Sequence, residues 1–410
     1  MIWLVVALGL MLLIFLHELG HFLAALAVGI QPRKFYVGFP PAIVKVRRRG
    51  VEYGIGAIPL GGYVRIPGMH RPAARDFETW IRPALHEEPG LTSLAQQVRR
   101  QLDAEDYAGA RAALPDLQRV LELINLTPGA RRSAERALRE LEESTGGDAY
   151  WRQPTWKRLV VIAAGPLANV LVAFVIFFAV FATGAPSSKA GTEVAAIASS
   201  TPAAAAGLQA GDRIVAISGQ RVATFDAVSR RIRSSHGRPI TVTVVRDGRT
   251  VTLGPRRTIK SADGRWIWGF TPAAKLVSYS PGAAARKAVD ACWLVTSGTG
   301  QAIGGLFHSK ERGQVVGTVG IVRASAAALR VGLPYYLQIV ALVSMSLALL
   351  NLLPLLPLDG GHIAVSIVEA VRRRALPREV YERASLVGIA VVLFVAFIAL
   401  SNDLSGGAPR

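Results

Sequence analysis

One cysteine, Cys292, in 410 residues excludes any intramolecular disulfide and any thiolate cluster of the structural-zinc type. A metal in this chain must be held by histidine and carboxylate, and these are scarce too: seven His and 28 Asp+Glu. Charged residues make up only 18% of the chain, whereas hydrophobic ones make up 51%. With a mean hydropathy of +0.34, that apolar excess is too large to bury in globular cores and places the chain in a bilayer. Acid is scarcer than base, 28 against 47, giving a net charge of +19. The basic residues form no dense tract interleaved with aromatics, so no nucleic-acid partner is expected and the excess reads as membrane-facing charge.

Spanning about 30 Å of hydrocarbon takes roughly 20 apolar residues as helix. Four stretches qualify, 1–30, 153–184, 334–370 and 385–402, the last being the shortest. The first imitates a secretory signal at Ala25-Leu26-Ala27, but it has no basic stretch before it and carries His17, Glu18 and His21, so it is expected to be retained. Orientation follows from Lys and Arg beside the helix ends. Arg33, Lys34, Lys45, Arg47, Arg48, Arg49 and Arg65 follow the first span, and Arg372, Arg373 and Arg374 open the 371–384 loop, so both loops are expected in the cytoplasm. The long segment between the second and third spans then lies outside, as do both termini.

Between the spans, residues 31–69 read as a membrane-associated β-hairpin region, and 70–152 as a cytoplasmic helical insert with helical stretches near 94–102, 106–124 and 130–143. Over 70–150 the insert holds 11 basic residues against 14 acids and no ligand-type cluster, so its bland reading is a solvated three-helix module whose partner is unknown. Residues 185–260 alternate short β-branched runs with Gly, Asp or Pro, and Asp247-Gly248 is a good hairpin turn. Residues 261–333 look partly amphipathic over 282–306 and 317–328, as a surface-lying region would. The expected class is a polytopic α-helical membrane protein of four transmembrane helices, with an extracytoplasmic β-rich domain and a cytoplasmic helical insert.

His17-Glu18-Leu19-Gly20-His21 lies inside the first span. Residues four apart share a helix face, so both imidazoles can bind one zinc while Glu18 reaches the attacking water. The competing reading is a proton relay or packed polar patch, but two histidines and a glutamate in an apolar helix are costly in lipid and persist where they work. Zinc in a catalytic site takes three protein ligands plus water. Asp359 follows a run from Gly332 that is otherwise uncharged, at a point where Pro354 and Pro357 break regular helix, and irregular backbone at membrane depth is tolerated only beside protein or a wet cavity. It is the natural third ligand; His362 competes for that place or supplies a supporting hydrogen bond. Gly165-Pro166 reads as a helix kink, and Asn169 one turn later as interhelical glue.

Together these residues resemble the site-2 protease family of intramembrane zinc metalloproteases, in its bacterial PDZ-containing branch. The likeness rests on the pentapeptide at 17–21, Val37-Gly38-Phe39, Pro59 through Val64, Gly165-Pro166 with Asn169, the stretch Gly207-Leu208-Gln209-Ala210-Gly211-Asp212, Gly317 through Ile321, and Asn351 through Gly361. Thr318 stands where the family usually has Pro, and the 70–150 insert has no family counterpart.

The resemblance implies one zinc ion per chain on His17, His21 and Asp359, Glu18 as general base, and Asn351 contacting substrate. Asn169 would border the site and help position substrate. It makes 185–260 a PDZ domain, marked by Gly207, Leu208, Gly211 and Asp212, of a kind that binds extended peptides by strand addition. It further implies a β-loop at Val51 to Ile66, with Ile55 and Ala57 pairing with the unwound substrate, and a filter over 282–328 admitting substrates already trimmed outside. The expected activity is regulated intramembrane proteolysis, such as release of an anti-sigma factor, in a bacterial plasma membrane, with a single-pass protein as substrate. A different class of reading is a membrane-anchored PDZ receptor or scaffold with a structural zinc site, which would call for a fourth protein ligand. A transporter would predict more intramembrane acids and paired repeats. The outer segment, with 20 Lys/Arg against seven acids over 189–333, suits anionic lipid or an acidic partner.

Overall fold

A computed structural model of the chain describes residues 2–261, 264–305 and 317–404. In chain order come α1 (Ile2–Ala27), β1 (Lys34–Arg48), β2 (Val51–Arg65), α2 (Ala74–Glu87), α3 (Thr92–Asp103), α4 (Tyr107–Ala112), α5 (Leu114–Leu123), α6 (Pro128–Ser144) and α7 (Thr155–Thr183). A mostly β segment follows: β3 (Ala185–Ile197), the single turn α8 (Pro202–Ala205), β4 (Arg213–Ile217), β5 (Gln220–Arg221), α9 (Phe225–Ser234), β6 (Pro239–Arg246), β7 (Arg249–Arg257), β8 (Ile259–Lys260), β9 (Trp266–Ile267) and β10 (Phe270–Val277). The remainder is α10 (Pro281–Gly305), α11 (Thr318–Val331), α12 (Leu333–Asn351), α13 (Asp359–Arg372) and α14 (Arg378–Leu404).

Among the described residues four helices, α1, α7, α12 and α14, are long and apolar enough to cross a membrane. With the β segment they make the chain a polytopic membrane protein carrying a β-rich domain. The stretch expected as one span over 334–370 is two helices: α12 ends at Asn351 and α13 restarts at Asp359. Pro354 and Pro357 remove the amides a continuous helix would need. The turn then closes tightly, since a Cβ on Gly361 would stand 2.6 Å from the Leu355 carbonyl carbon. The last helix starts at Arg378 rather than 385, because Glu379, Glu382 and Arg383 give its first turns a polar surface that apolar length alone does not reveal.

The chain divides into two compact units, one of Ala7–Leu171 with Ser346–Ile398, the other of Met1–Val6, Val172–Met345 and Ala399–Arg410. In the first, the insert is five helices instead of three. Ala74, Phe77, Ile81 and Ala84 recur at helical spacing and are buried, so α2 forms in spite of its internal Pro83. Pro115 falls in the first turn of α5, where a missing amide is harmless, and so splits the expected 106–124 stretch in two. Ile81, Leu91, Val98 and Leu117 fill the centre of the insert. Both β strands bend and pair twice: Lys34 to Val37 lies between Glu52–Ile55 on one side and Gly62–Arg65 on the other. Ion pairs fasten the ribbon to the insert, Arg65 with Glu140 and Glu143 at 2.9 and 2.6 Å and Arg33 with Asp148 at 3.0 Å. The amides of Tyr150 and Trp151 bond the carbonyls of Pro67 and Gly68 at 2.9 and 3.0 Å.

In the second unit the strand order is β10-β3-β4-β6-β7, with β5 on β4. Val194, Ile214, Val242, Val244 and Trp268 form its core. Asp247 and Gly248 both have positive φ between the antiparallel β6 and β7, as a two-residue hairpin turn requires. The sheet runs past residue 260, because Phe270 packs edge-on to Phe225 and brings β10 in beside β3. Asp212 is 1% exposed and accepts from Arg246 Nε and Nη2 at 2.7 Å each and from the Gln209 amide at 2.8 Å. Burial alone would raise its carboxyl's pKa, but the Arg246 guanidinium and the Gln209 amide outweigh that and hold it below the usual value. Gly207 and Gly211 supply the left-handed turns around it and Leu208 is buried, so this motif builds a turn in the domain's framework. On α10, Val289, Trp293 and Leu294 are exposed; Leu306, the expected end of that surface-lying stretch, lies outside the described residues.

Candidate metal centre

α1 packs on α7 with almost no space between the backbones: a Cβ on Gly20 would stand 2.5 Å from the Ala164 carbonyl oxygen. That approach carries His17 and His21, 6% and 7% exposed, into the protein interior. The first turn of α13 brings Asp359 to them. His17 Nε2, His21 Nε2 and Asp359 Oδ2 form a nearly equilateral triangle with sides of 3.3, 3.2 and 3.4 Å. Zinc bonds to nitrogen and oxygen of about 2.0–2.1 Å in a tetrahedron give ligand-to-ligand edges of about 3.3–3.4 Å. The three atoms therefore fit one zinc ion with its fourth position open. Among the described residues this is the one cluster of three histidine, cysteine or acid side chains that could hold a metal.

The outer faces of both imidazoles are held. His21 Nδ1 donates to the Val161 carbonyl oxygen at 2.8 Å, which leaves the Nε2 lone pair directed at the cluster. Pro166 cannot bond the neighbouring Ile162 carbonyl, so α7 is already loosened here. A Cβ on Gly165 would stand 2.5 Å from His21 Cε1 and nearer still to Nε2, so glycine is what lets the ring sit there. The amide of Asn169 lies 3.2 Å from His17 Nδ1. The atom facing Nδ1 in the structure is the amide nitrogen, Nδ2; with Nε2 turned to a metal Nδ1 carries the proton, so the amide must be turned over to present its oxygen as the acceptor, its O and N being interchangeable in shape.

Glu18 is partly exposed in a cavity of about 290 Å3 shared with His17, His21, Val64, Met69, Asn351 and Asp359. β2 is its neighbour: a Cβ on Gly62 would stand 2.7 Å from Glu18 Cγ. Asn351, at the end of α12, thus faces the same space as the cluster. Asn169 does not. It is fully buried behind His17, so the expectation that it touches substrate gives way to one of orienting a ring. Ile55 and Ala57 are exposed on β2 but do not line the cavity; Val64, near the other end of that strand, and Ile66, just beyond it, do. His362 is outside the cluster, its imidazole meeting the Tyr381 hydroxyl at 3.1 Å. The Val161 carbonyl and Met69 were not foreseen from sequence, and Gly62 was marked only within the Pro59–Val64 stretch, without a role at the site. The first is a backbone group 140 positions away, the other two carry no chemical signature, and only the Gly-Pro pair hinted that α7 opens here.

The sequence profile of peptidase family M50 matches residues 5–395. The chain belongs to peptidase family M50. This M50 chain is 28% identical over 413 residues to the zinc metalloprotease RasP of Geobacillus kaustophilus, covering 96% of this chain and 95% of the relative. It is 28% identical over 414 residues to the metalloprotease MmpA of Caulobacter vibrioides, with 95% and 92% covered. It is 26% identical over 418 residues to the regulator of sigma-W protease RasP of Bacillus subtilis, with 96% and 95% covered. The M50 chain is accordingly a zinc metalloprotease of the site-2 protease family, and the scaffold reading falls away.

Proposed function

We propose that this protein is an intramembrane endopeptidase in which His17, His21 and Asp359 hold one zinc ion and Glu18 is the general base, cutting the transmembrane segment of a single-pass membrane protein. The observation that carries the reading is the 3.2–3.4 Å triangle of ligand atoms with Glu18 in the same cavity, on a helix apolar enough to span. Bound there, zinc supplies Lewis-acid polarisation of the scissile carbonyl and brings the pKa of a coordinated water toward about 7. Glu18 takes the proton from the attacking water and delivers it to the leaving amine. Asn351, on the wall of the same cavity, holds the substrate backbone by its amide. Val161 and Asn169 keep the two imidazoles aimed.

A helical substrate hides its carbonyls, so it must extend and find new hydrogen-bond partners in a medium without water. β2 offers them at its exposed Ala57; Ile55, expected to share this role, is already paired on both sides, with Val37 and with Val44 of the bent β1, so its backbone is engaged within the hairpin. Proline at Ala57 tests this: unchanged cleavage by a folded variant would remove the strand-pairing step. The arginines flanking the spans favour insert and hairpin in the cytoplasm of a bacterial cell, with the β-rich domain, which we assign as PDZ over 185–260 with β10 added, outside the inner membrane. One relative is named as a regulator of sigma-W. We extend that logic to this chain as release of a membrane-held signalling protein, such as an anti-sigma factor, whose outer part has been trimmed first.

The decisive test is Glu18→Gln, with zinc content and cleavage of a transmembrane substrate measured on one sample. Retained zinc with cleavage reduced by at least about 100-fold is expected of a lost general base. Full cleavage by the variant would refute the mechanism.

A further inference from the structure

Beside the metal cavity lies a second, larger one of about 1100 Å3, and Met69 lines both. The size exceeds the roughly 300–1,000 Å3 usual for small-molecule pockets. It opens between the start of the insert, the beginning of α7, the end of α13 and the start of α14. At its near end His70 packs edge-on to Tyr381, with ring centres 4.4 Å apart, and Tyr381 meets His362. Farther out most charges are matched: Arg71 with Glu105 at 3.2 Å, Arg158 with Glu369 at 2.7 Å, Arg378 with Glu382 at 2.8 Å. Asp103 is taken by Arg99 at 3.5 Å. Arg373 and Arg374, at the end of α13, have no carboxylate within ion-pair distance among the described residues, so the far rim carries two uncompensated positive charges.

We propose that the substrate chain leaves the metal cavity past Met69 and enters this larger cavity, where Arg373 and Arg374 select an acidic residue about six positions from the cut. The assignment rests on the proteolytic reading above. Its spacing comes from α13. Arg373 is the residue that follows a 14-residue helix beginning at Asp359, so it stands about 21 Å from the metal ligand at about 1.5 Å per residue. An extended peptide advances about 3.3 Å per residue and covers that length in about six. A helical substrate would need about 14 residues for the same reach, so the position of the preference also reports whether the bound chain is extended.

The test uses full-length protein in lipid nanodiscs and single-pass substrates bearing Asp, Gln or Lys at the sixth residue beyond the cut, on the cytoplasmic side, with the cut located by mass spectrometry. An exposed ion pair contributes up to about fivefold, so wild type should favour Asp over Lys by about fivefold in kcat/KM. Arg373→Glu/Arg374→Glu should invert that ratio, and Arg373→Gln/Arg374→Gln should bring it to about one. The same ratio is read as Kd for uncut substrate on the Glu18→Gln protein, which needs no hydrolysis. An Asp-to-Lys ratio that is the same in wild type and both double variants overturns the proposal. Cleavage without any such ratio strikes the cavity assignment alone, whereas a Kd ratio with no cleavage by wild type strikes the proteolytic reading and leaves the cavity assignment standing.

Discussion

Replacing Gly165 by alanine tests whether His21 is a ligand held at a fixed place against α7. The added methyl would stand 2.5 Å from His21 Cε1 and 2.8 Å from Cδ2. Ordinary carbon contacts begin near 3.4 Å, so the ring must retreat by about 1 Å. Retreat from α7 also pulls Nδ1 off its 2.8 Å bond to the Val161 carbonyl, one turn earlier on that helix, and the triangle with His17 and Asp359 has no slack, its sides being 3.2–3.4 Å. Metal-ligand distances tolerate about 0.2 Å, so a shift of about 1 Å should weaken zinc binding by at least about 100-fold. The helix itself gains from the change, since alanine is about 1 kcal/mol better than glycine in a helix interior. Loss of metal with an intact fold is therefore the expected pair of results. Zinc per chain after equilibration in a zinc buffer, gel filtration and thermal unfolding are the measurements. A folded Gly165→Ala protein with one zinc per chain and wild-type cleavage would refute the reasoning.

Gly62→Ala should do the opposite. Its methyl would come within 2.7 Å of Glu18 Cγ and not of a ligand, so zinc should stay while kcat falls by about 10- to 100-fold. Asn169→Ala should lower zinc affinity by about 10- to 100-fold, and Asn169→Asp, which keeps an acceptor for His17 Nδ1, should recover most of it, as read in metal competition titrations. In the β-rich domain, Arg246→Ala takes both guanidinium bonds from the Asp212 carboxylate and should lower the denaturation midpoint of the domain, measured by tryptophan fluorescence on denaturant unfolding. Because Asp212 titrates below its ordinary 3.8 in the folded state, its stabilisation is complete above that value and is lost as pH falls through the depressed one; Asp212→Asn should remove this acid-side dependence.

The metal centre was legible in sequence to the extent that its chemistry is local. Two histidines four apart on an apolar helix share a face whatever the rest of the chain does, and with one cysteine in the chain the third ligand had to be an acid or a histidine. Asp359 stood out because two prolines break the backbone just before it. What holds the imidazoles was not legible: the Val161 carbonyl and Asn169 reach them only through helix packing across 140 and 152 positions. Asn169 looked like a substrate contact since its distance along α7 fixes a helical face but not which neighbour fills it. α2 was hidden by Pro83, although burial of Phe77 and Ile81 outweighs the lost hydrogen bond. β10 was missed because its partner β3 lies far back in the chain, and register between distant strands leaves little mark on a single sequence.

Anomalous diffraction at the zinc edge, on crystals of the wild-type protein, tests the central claim most directly. The account predicts one strong peak at about 2.0–2.1 Å from His17 Nε2, His21 Nε2 and Asp359 Oδ2, with no fourth protein ligand. A peak bound instead by His362 or His70, or one closed by a fourth side chain, would contradict it.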